Sequence, residues 1–221
     1  MYEDNHLLVA EKSPGILSQA DDTGDPDMLS LLKTYIKTKY AKPGNIYLGL
    51  VHRLDRPTGG LMVFARTSKA ASRLSEQVRE GVMEREYLLV CEGTFAGDFL
   101  LTDWLLKDTR SNIVTVVRQG TANARNAVLR GKPLAVRDGK TLARVSLQTG
   151  RGHQIRVQMA NAGHPLYGDR KYGAGGSGEE IALYSCRLAF THPVTKALMT
   201  FEQMPRGGAF AWFGDLLGDV L

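Results

Sequence analysis

Apolar and polar positions along this 221-residue chain follow two rhythms, one of three to four residues and one of two. Met28, Leu31, Leu32, Tyr35 and Ile36 recur at helical spacing after Asp25-Pro26-Asp27, predicting a helix that closes before Pro43-Gly44-Asn45. Ser68 predicts the cap of a second helix, in which Ala71, Leu74 and Val78 share a face and Gly81 lies just past the end. A third helix is expected over residues 153–162, stopped by Gly163. Strand-like apolar runs fall at residues 7–10, 46–51, 61–65, 87–91, 113–117, 127–129, 142–148, 181–190 and 198–201. Strands outnumber helices and do not alternate strictly with them. The pattern therefore predicts an α+β protein with a mixed, largely antiparallel sheet and flanking helices.

At 43% hydrophobic and 23% charged residues, the chain is long enough for one substantial core, read as a single domain over residues 1–221 with two lobes. No apolar run approaches the roughly 20 residues of a membrane span, and acids stand at the N-terminus where a signal peptide needs basic residues. The expected location is the cytoplasm, and no membrane contact is implied. Cys91 and Cys186 sit in β-like apolar runs without CxxC spacing, which suits small buried side chains and implies neither a disulfide framework nor a metal. The net charge of +5 conceals a division. Residues 1–27 hold seven acids and one lysine, whereas the rest holds 27 basic and 16 acidic residues. A basic body of this kind is the electrostatic footprint of a nucleic-acid binder, although it is not specific to one.

The richest chemistry lies in HRLDRPTGGLM, from His52 to Met62, where Asp55 stands between Arg53 and Arg56 and runs into a Pro-Thr-Gly-Gly turn. Flanking arginines favour the charged carboxylate. The turn, bracketed by the runs at 46–51 and 61–65, presents it at a strand end, as suits a nucleophile or base. A second cluster, GRGHQIRVQMANAGHPLYGDRKYG from Gly150 to Gly173, packs Arg151, His153, Gln154 and Arg156 into six positions. Other motifs carry less. Gly173, Gly175 and Gly178 satisfy GxGxxG but lack the strand before and the helix after that a dinucleotide fold requires, and they read as a loop. His164-Pro165 and His192-Pro193 read as turns. The absence of GxSxG, HExxH and GxxxxGK[ST] removes the usual support for a serine hydrolase, a zinc protease or a P-loop enzyme.

Together the two clusters resemble the signature blocks of the RluA family of RNA pseudouridine synthases. The opening YEDNHLLVAEKSPGILS resembles the family's first strands and EREYLLVCEG its tyrosine-bearing strand, so the similarity runs in order from Tyr2 to about Phe201. The resemblance implies the pseudouridine synthase fold with a central RNA-binding cleft, and a cofactor-free isomerase acting on uridine in tRNA or ribosomal RNA. It makes Asp55 the essential carboxylate, which either attacks C1′ or takes a proton from C2′, with Arg151 pairing with it and aiming it. Tyr87 would stack on the displaced uracil. Arg53 would fill the gap left by a flipped nucleotide, and His52 and Arg156 would contact the RNA backbone.

Two departures bear on RNA contacts. Gly152 stands where the family usually has threonine, and the lysine often found before the tyrosine is replaced around Met83 to Glu86. Many members carry a small RNA-binding domain ahead of the catalytic part, whereas this chain reads as the catalytic domain alone, a monomer with no obligate protein partner. Two other readings are a catalytically silent RNA-binding module and a glycosidase-like hydrolase. The second would need a pair of acids flanking the scissile bond, and no partner for Asp55 stands out.

Overall fold

The computed structural model describes residues 1–41, 43–173 and 180–218. Along the chain come β1 (Tyr2–Glu3), β2 (Leu7–Lys12), α1 (Met28–Lys39), β3 (Gly49–Leu50), β4 (Gly59–Ala65), α2 (Ser68–Glu80) and β5 (Glu84–Glu92). Next are β6 (Phe99–Asp108), β7 (Ile113–Val117), β8 (Arg125–Arg137), β9 (Lys140–Leu147) and α3 (Gln154–Asn161). The chain ends with β10 (Leu183–Thr191), β11 (Leu198–Glu202), a 3-10 turn at Gly208–Phe213 and α4 (Gly214–Leu217). The architecture is α+β with a mixed, mostly antiparallel sheet, as the pattern of runs predicts.

Two compact units divide these elements. The first comprises Met1–Glu84 and Arg187–Gln203. Its β2 pairs antiparallel with β1 and β4, β3 pairs with β4, and β11 pairs with β10. Every residue of β4 is buried, so its run GGLMVFA reads as continuously apolar instead of alternating, as a strand covered on both faces should. Leu61, Val63 and Ala65 from β4 meet Leu7 and Val9 from β2, and α2 lays Ala70 and Leu74 on this cluster. Burying each large side chain there is worth about 1.5–3 kcal/mol.

The second unit comprises Arg85–Cys186 and Met204–Leu221. Its strands run in the antiparallel order β5-β9-β8-β6-β7. Leu88, Val90 and Leu142 pack with Phe210, Phe213 and Leu217 from the C-terminal helical turns, while Val157 of α3 joins Leu105, Val114 and Ala127 in a separate cluster.

Several boundaries differ from the sequence expectation. The cap of α2 is Thr67, not Ser68; its hydroxyl accepts from Ala70 N–H at 3.1 Å, while Gly81 takes the left-handed end position with φ 74°. The expected strand over residues 46–51 shrinks to Gly49–Leu50. In α1, Met28 and Ile36 are buried but Leu31 and Tyr35 are 50% and 45% exposed, so only part of the apolar stripe is core. The ten-residue β6 has no counterpart in the expected strands, because FLLTDWLLKD sets its apolar residues in two triplets that match neither period. Cys91 and Cys186 are both buried and are not joined in a disulfide. Of the GxGxxG glycines, Gly175 and Gly178 lie outside the described residues. No helix among the described residues is long and apolar enough to cross a membrane.

Candidate active site

Asp55 lies in the first unit, on the loop that leads into β4, and is partly buried. The segment Lys12 to Ser18 grips this loop on both sides of the carboxylate. Ser18 Oγ donates to Leu54 C=O at 2.7 Å and accepts from Leu54 N–H at 3.1 Å. On the other side, Arg56 C=O accepts from Gly15 N–H at 2.9 Å and from Lys12 Nζ at 3.0 Å. Arg56 Nε donates to Gly15 C=O at 3.1 Å, and its terminal nitrogen pairs with Asp25 at 2.8 Å. Within the loop, Thr58 N–H donates to Asp55 C=O at 3.0 Å, closing the turn. The backbone before and after Asp55 is thus fixed by hydrogen bonds while its own side chain stays partly accessible.

Lys12 is the unexpected member. Its side chain is wholly buried at the end of β2, and its ammonium donates to Ser13 C=O at 3.2 Å, Ile16 C=O at 2.6 Å and Arg56 C=O at 3.0 Å. Burial brings its pKa down to about 8; the charge of Asp55 opposes that shift and Arg56 adds to it. Three inward-turned carbonyls make the pocket habitable for a cation and tie both strands of the grip to one atom. A lysine closing the strand run LLVAEK, just before Ser-Pro-Gly, was the available signal in the sequence.

His52 and Arg53 flank the same loop with opposite fates. Arg53 is exposed. His52 is 9% exposed and its Nε2 accepts from Val63 N–H at 3.0 Å, so the imidazole anchors the loop to β4.

Tyr87 and Arg151 belong to the second unit. Tyr87 lies on β5 opposite Val145 of β9 and is 6% exposed. Arg151 is exposed on the loop between β9 and α3. Gln154, 2% exposed, organises that loop: its Oε1 accepts from Arg151 N–H at 3.0 Å and from Thr149 Oγ1 at 2.8 Å, and its Nε2 donates to Val128 C=O at 3.1 Å. Arg151 Nε donates to Asn126 C=O at 2.9 Å, which orients the plane of the guanidinium. His153 opens α3 in the left-handed region with φ 53°, a conformation that costs a non-glycine residue about 1–2 kcal/mol. Its Nδ1 lies 2.6 Å from Tyr172 Oη, which also accepts from Val114 N–H at 2.9 Å and so holds the ring in place.

Arg156 is 6% exposed and grips Asp169 with two parallel bonds, Nε to Oδ2 at 2.8 Å and a terminal nitrogen to Oδ1 at 2.7 Å. Burial pushes the Asp169 pKa up, but the bonds and charge of Arg156 together with the N–H groups of Lys171 and Tyr172 hold the carboxyl below its usual range. Gly152 has an ordinary φ and open space where a Cβ would stand, so the threonine usual in the family would meet no obstruction.

Comparison with known proteins decides the family. The family profile described as RNA pseudouridylate synthase matches residues 6–161, a span that includes Asp55, Tyr87 and Arg151. The chain belongs to the RNA pseudouridine synthases. Members of this family isomerise uridine to pseudouridine in RNA, and this chain is an isomerase of that kind. An uncharacterized RNA pseudouridine synthase of Bacillus subtilis, YjbO, is 35% identical over 209 residues, covering 91% of this chain and 70% of that protein. Ribosomal large subunit pseudouridine synthase C of Escherichia coli is 31% identical over 219 residues, covering 91% of this chain and 65% of that protein. The chain therefore spans about two thirds of the length of these relatives. Among solved structures, the human RNA pseudouridylate synthase domain containing 4 shares the synthase fold, with a TM-score of 0.77 at 20% identity over 93% of this chain and 88% of that one.

Proposed function

We propose that residues 1–221 form a pseudouridine synthase catalytic domain that acts as a monomer on uridines of ribosomal or transfer RNA in the cytoplasm, with Asp55 as its essential group. The observation that carries the assignment is the loop of Asp55: it lies within the matched span, and the backbone on both sides of the carboxylate is hydrogen-bonded to residues 12–18. Such preorganisation is what a group acting at a sugar carbon requires.

The reaction breaks N1–C1′, turns the freed uracil, joins C5 to C1′, releases the C5 hydrogen as a proton and returns a proton to N1, so no external reactant is consumed. Asp55 enters either by attacking C1′ or by taking the C2′ proton to give a glycal. Tyr87 offers an aromatic face to the loose uracil. Arg151, its loop tied by Gln154 and Asn126, aims the working carboxylate. Arg53, exposed beside Asp55, occupies the space of the flipped nucleotide.

Tritium at uridine C5 is lost only when the new carbon–carbon bond forms. The native chain should release tritium from unmodified RNA labelled at that position, and Asp55→Ala should bind the RNA but release none. Release by Asp55→Ala at the native rate would remove Asp55 from the mechanism. Free uracil among the products would favour a hydrolase. Deuterium at C2′ separates the two roles of the carboxylate, since only proton abstraction breaks that bond.

A further inference from the structure

Two arginines of the second unit are almost equally buried, and the fold treats them differently. Arg156, 6% exposed, is neutralised by Asp169 through two short bonds. Arg85, the second residue of β5, is 5% exposed, yet no carboxylate is paired with it among the described residues. Its Nε is shielded from solvent and has no hydrogen-bond partner among the described residues. An unpaired charge in such a place costs several kcal/mol, so a protein that keeps one is short of an anion.

The surroundings of Arg85 indicate which anion. Side chains alternate along a strand, so Arg85 and Tyr87 share a face of β5. A terminal nitrogen of Arg85 lies 2.5 Å from where a Cβ of Gly150 would stand, so the guanidinium rests on the bare backbone next to Arg151. Glycine at 150 is required for that approach. The charge therefore sits beside both residues of this unit assigned to the uridine. A uracil carbonyl would leave it uncompensated, whereas a phosphodiester both neutralises it and matches the guanidinium fork.

We propose that Arg85 is an RNA-binding residue whose guanidinium receives the non-bridging oxygens of a phosphodiester flanking the target uridine. The inference rests on the synthase reading and on the roles proposed above for Tyr87 and Arg151. It also gives a use to the stretch from Met83 to Glu86, where the family's lysine is replaced.

The test is binding to an unmodified transcript of large-subunit ribosomal RNA over a range of salt concentrations, with tritium release measured in parallel. Arg85→Gln should raise Kd roughly tenfold and lower the slope of log Kd against log salt by about one, the signature of one lost phosphate contact. Arg85→Lys should keep the native slope. Gly150→Ala, which displaces the guanidinium without removing it, should reproduce the loss and serves as the second variant if Arg85→Gln does not fold. A native salt slope in folded Arg85→Gln or Gly150→Ala would overturn the proposal, whatever happens to turnover, because packing and contact with a neutral base leave that slope unchanged. Asp55→Ala, with the native slope and no tritium release, separates this question from the catalytic one: if it turns over normally, the catalytic reading fails while the slope still judges Arg85.

Discussion

Asp55 is held through its backbone, and Lys12 is the tie whose strength depends on pH. With its pKa brought down to about 8 by burial, Lys12 carries a full charge at neutral pH and loses it as the solution becomes mildly alkaline. Turnover should therefore fall as pH rises through about 8, as the ammonium that draws together the carbonyls of Ser13, Ile16 and Arg56 is discharged. Stability moves the other way. Between about 8 and the ordinary lysine value of 10.5, the unfolded chain binds more protons at this site than the folded one, so this group makes the fold more stable with rising pH in that window. A pH–rate profile alongside thermal melts separates the two effects. Lys12→Met should lower turnover at every pH and lack the limb near 8, while an alkaline limb common to both proteins would come from the RNA or another group and would dismiss Lys12 as its cause.

At the level of elements, the loop between β9 and α3 shows how a polar side chain substitutes for regular structure. Gln154 serves three partners from a buried position, so Gln154→Ala leaves Arg151 N–H, Thr149 Oγ1 and Val128 C=O each short of a bond. The cost should be about 1–3 kcal/mol in thermal or denaturant unfolding, with turnover reduced roughly tenfold or more as Arg151 loses its register; unchanged turnover would show that Arg151 does not depend on this scaffold. The sequence made some elements plain and left others hidden. β7 was legible to the residue because Ile113 to Val117 is a clean β-branched run, and the end of α2 was legible because Gly81 does what glycine does past a helix. β6 was not, since its side chains answer to neighbours on β7 and β8 that no local window contains. Motif order pointed to Asp55, but Lys12 and Ser18 support it from some 40 residues away, and no local periodicity records that distance. Arg85 was hidden for a related reason, because only the fold reveals that a charge in an ordinary strand has no carboxylate paired with it among the described residues.

For the molecule as a whole, the acid side of stability is set by carboxylates whose pKa values the fold lowers. Asp169 and Asp4 are both held down against the opposing effect of burial, Asp169 by Arg156 and Asp4 by the backbone N–H groups of His6 and Leu7. Each contributes stability that is fully present above the unfolded carboxylate value near 3.8 and is lost as pH falls through its lower folded value. Acid unfolding followed by circular dichroism should accordingly begin below about pH 4, and Asp169→Asn should be less stable at neutral pH with a shallower acid limb; identical limbs would mean that the Arg156 pair contributes nothing net. The charge division seen in the sequence, acidic over residues 1–27 and basic beyond, has a local counterpart in the pairing of Arg56 with Asp25. Burial of both thiols has a practical corollary. With Cys91 and Cys186 sequestered, and burial pushing the Cys91 thiol up to about 12, the native surface offers thiol reagents no target. A single cysteine placed at Gly152, where a side chain meets open space, would therefore carry one fluorophore next to Arg151 and let the arrival of RNA be timed from the enzyme's side.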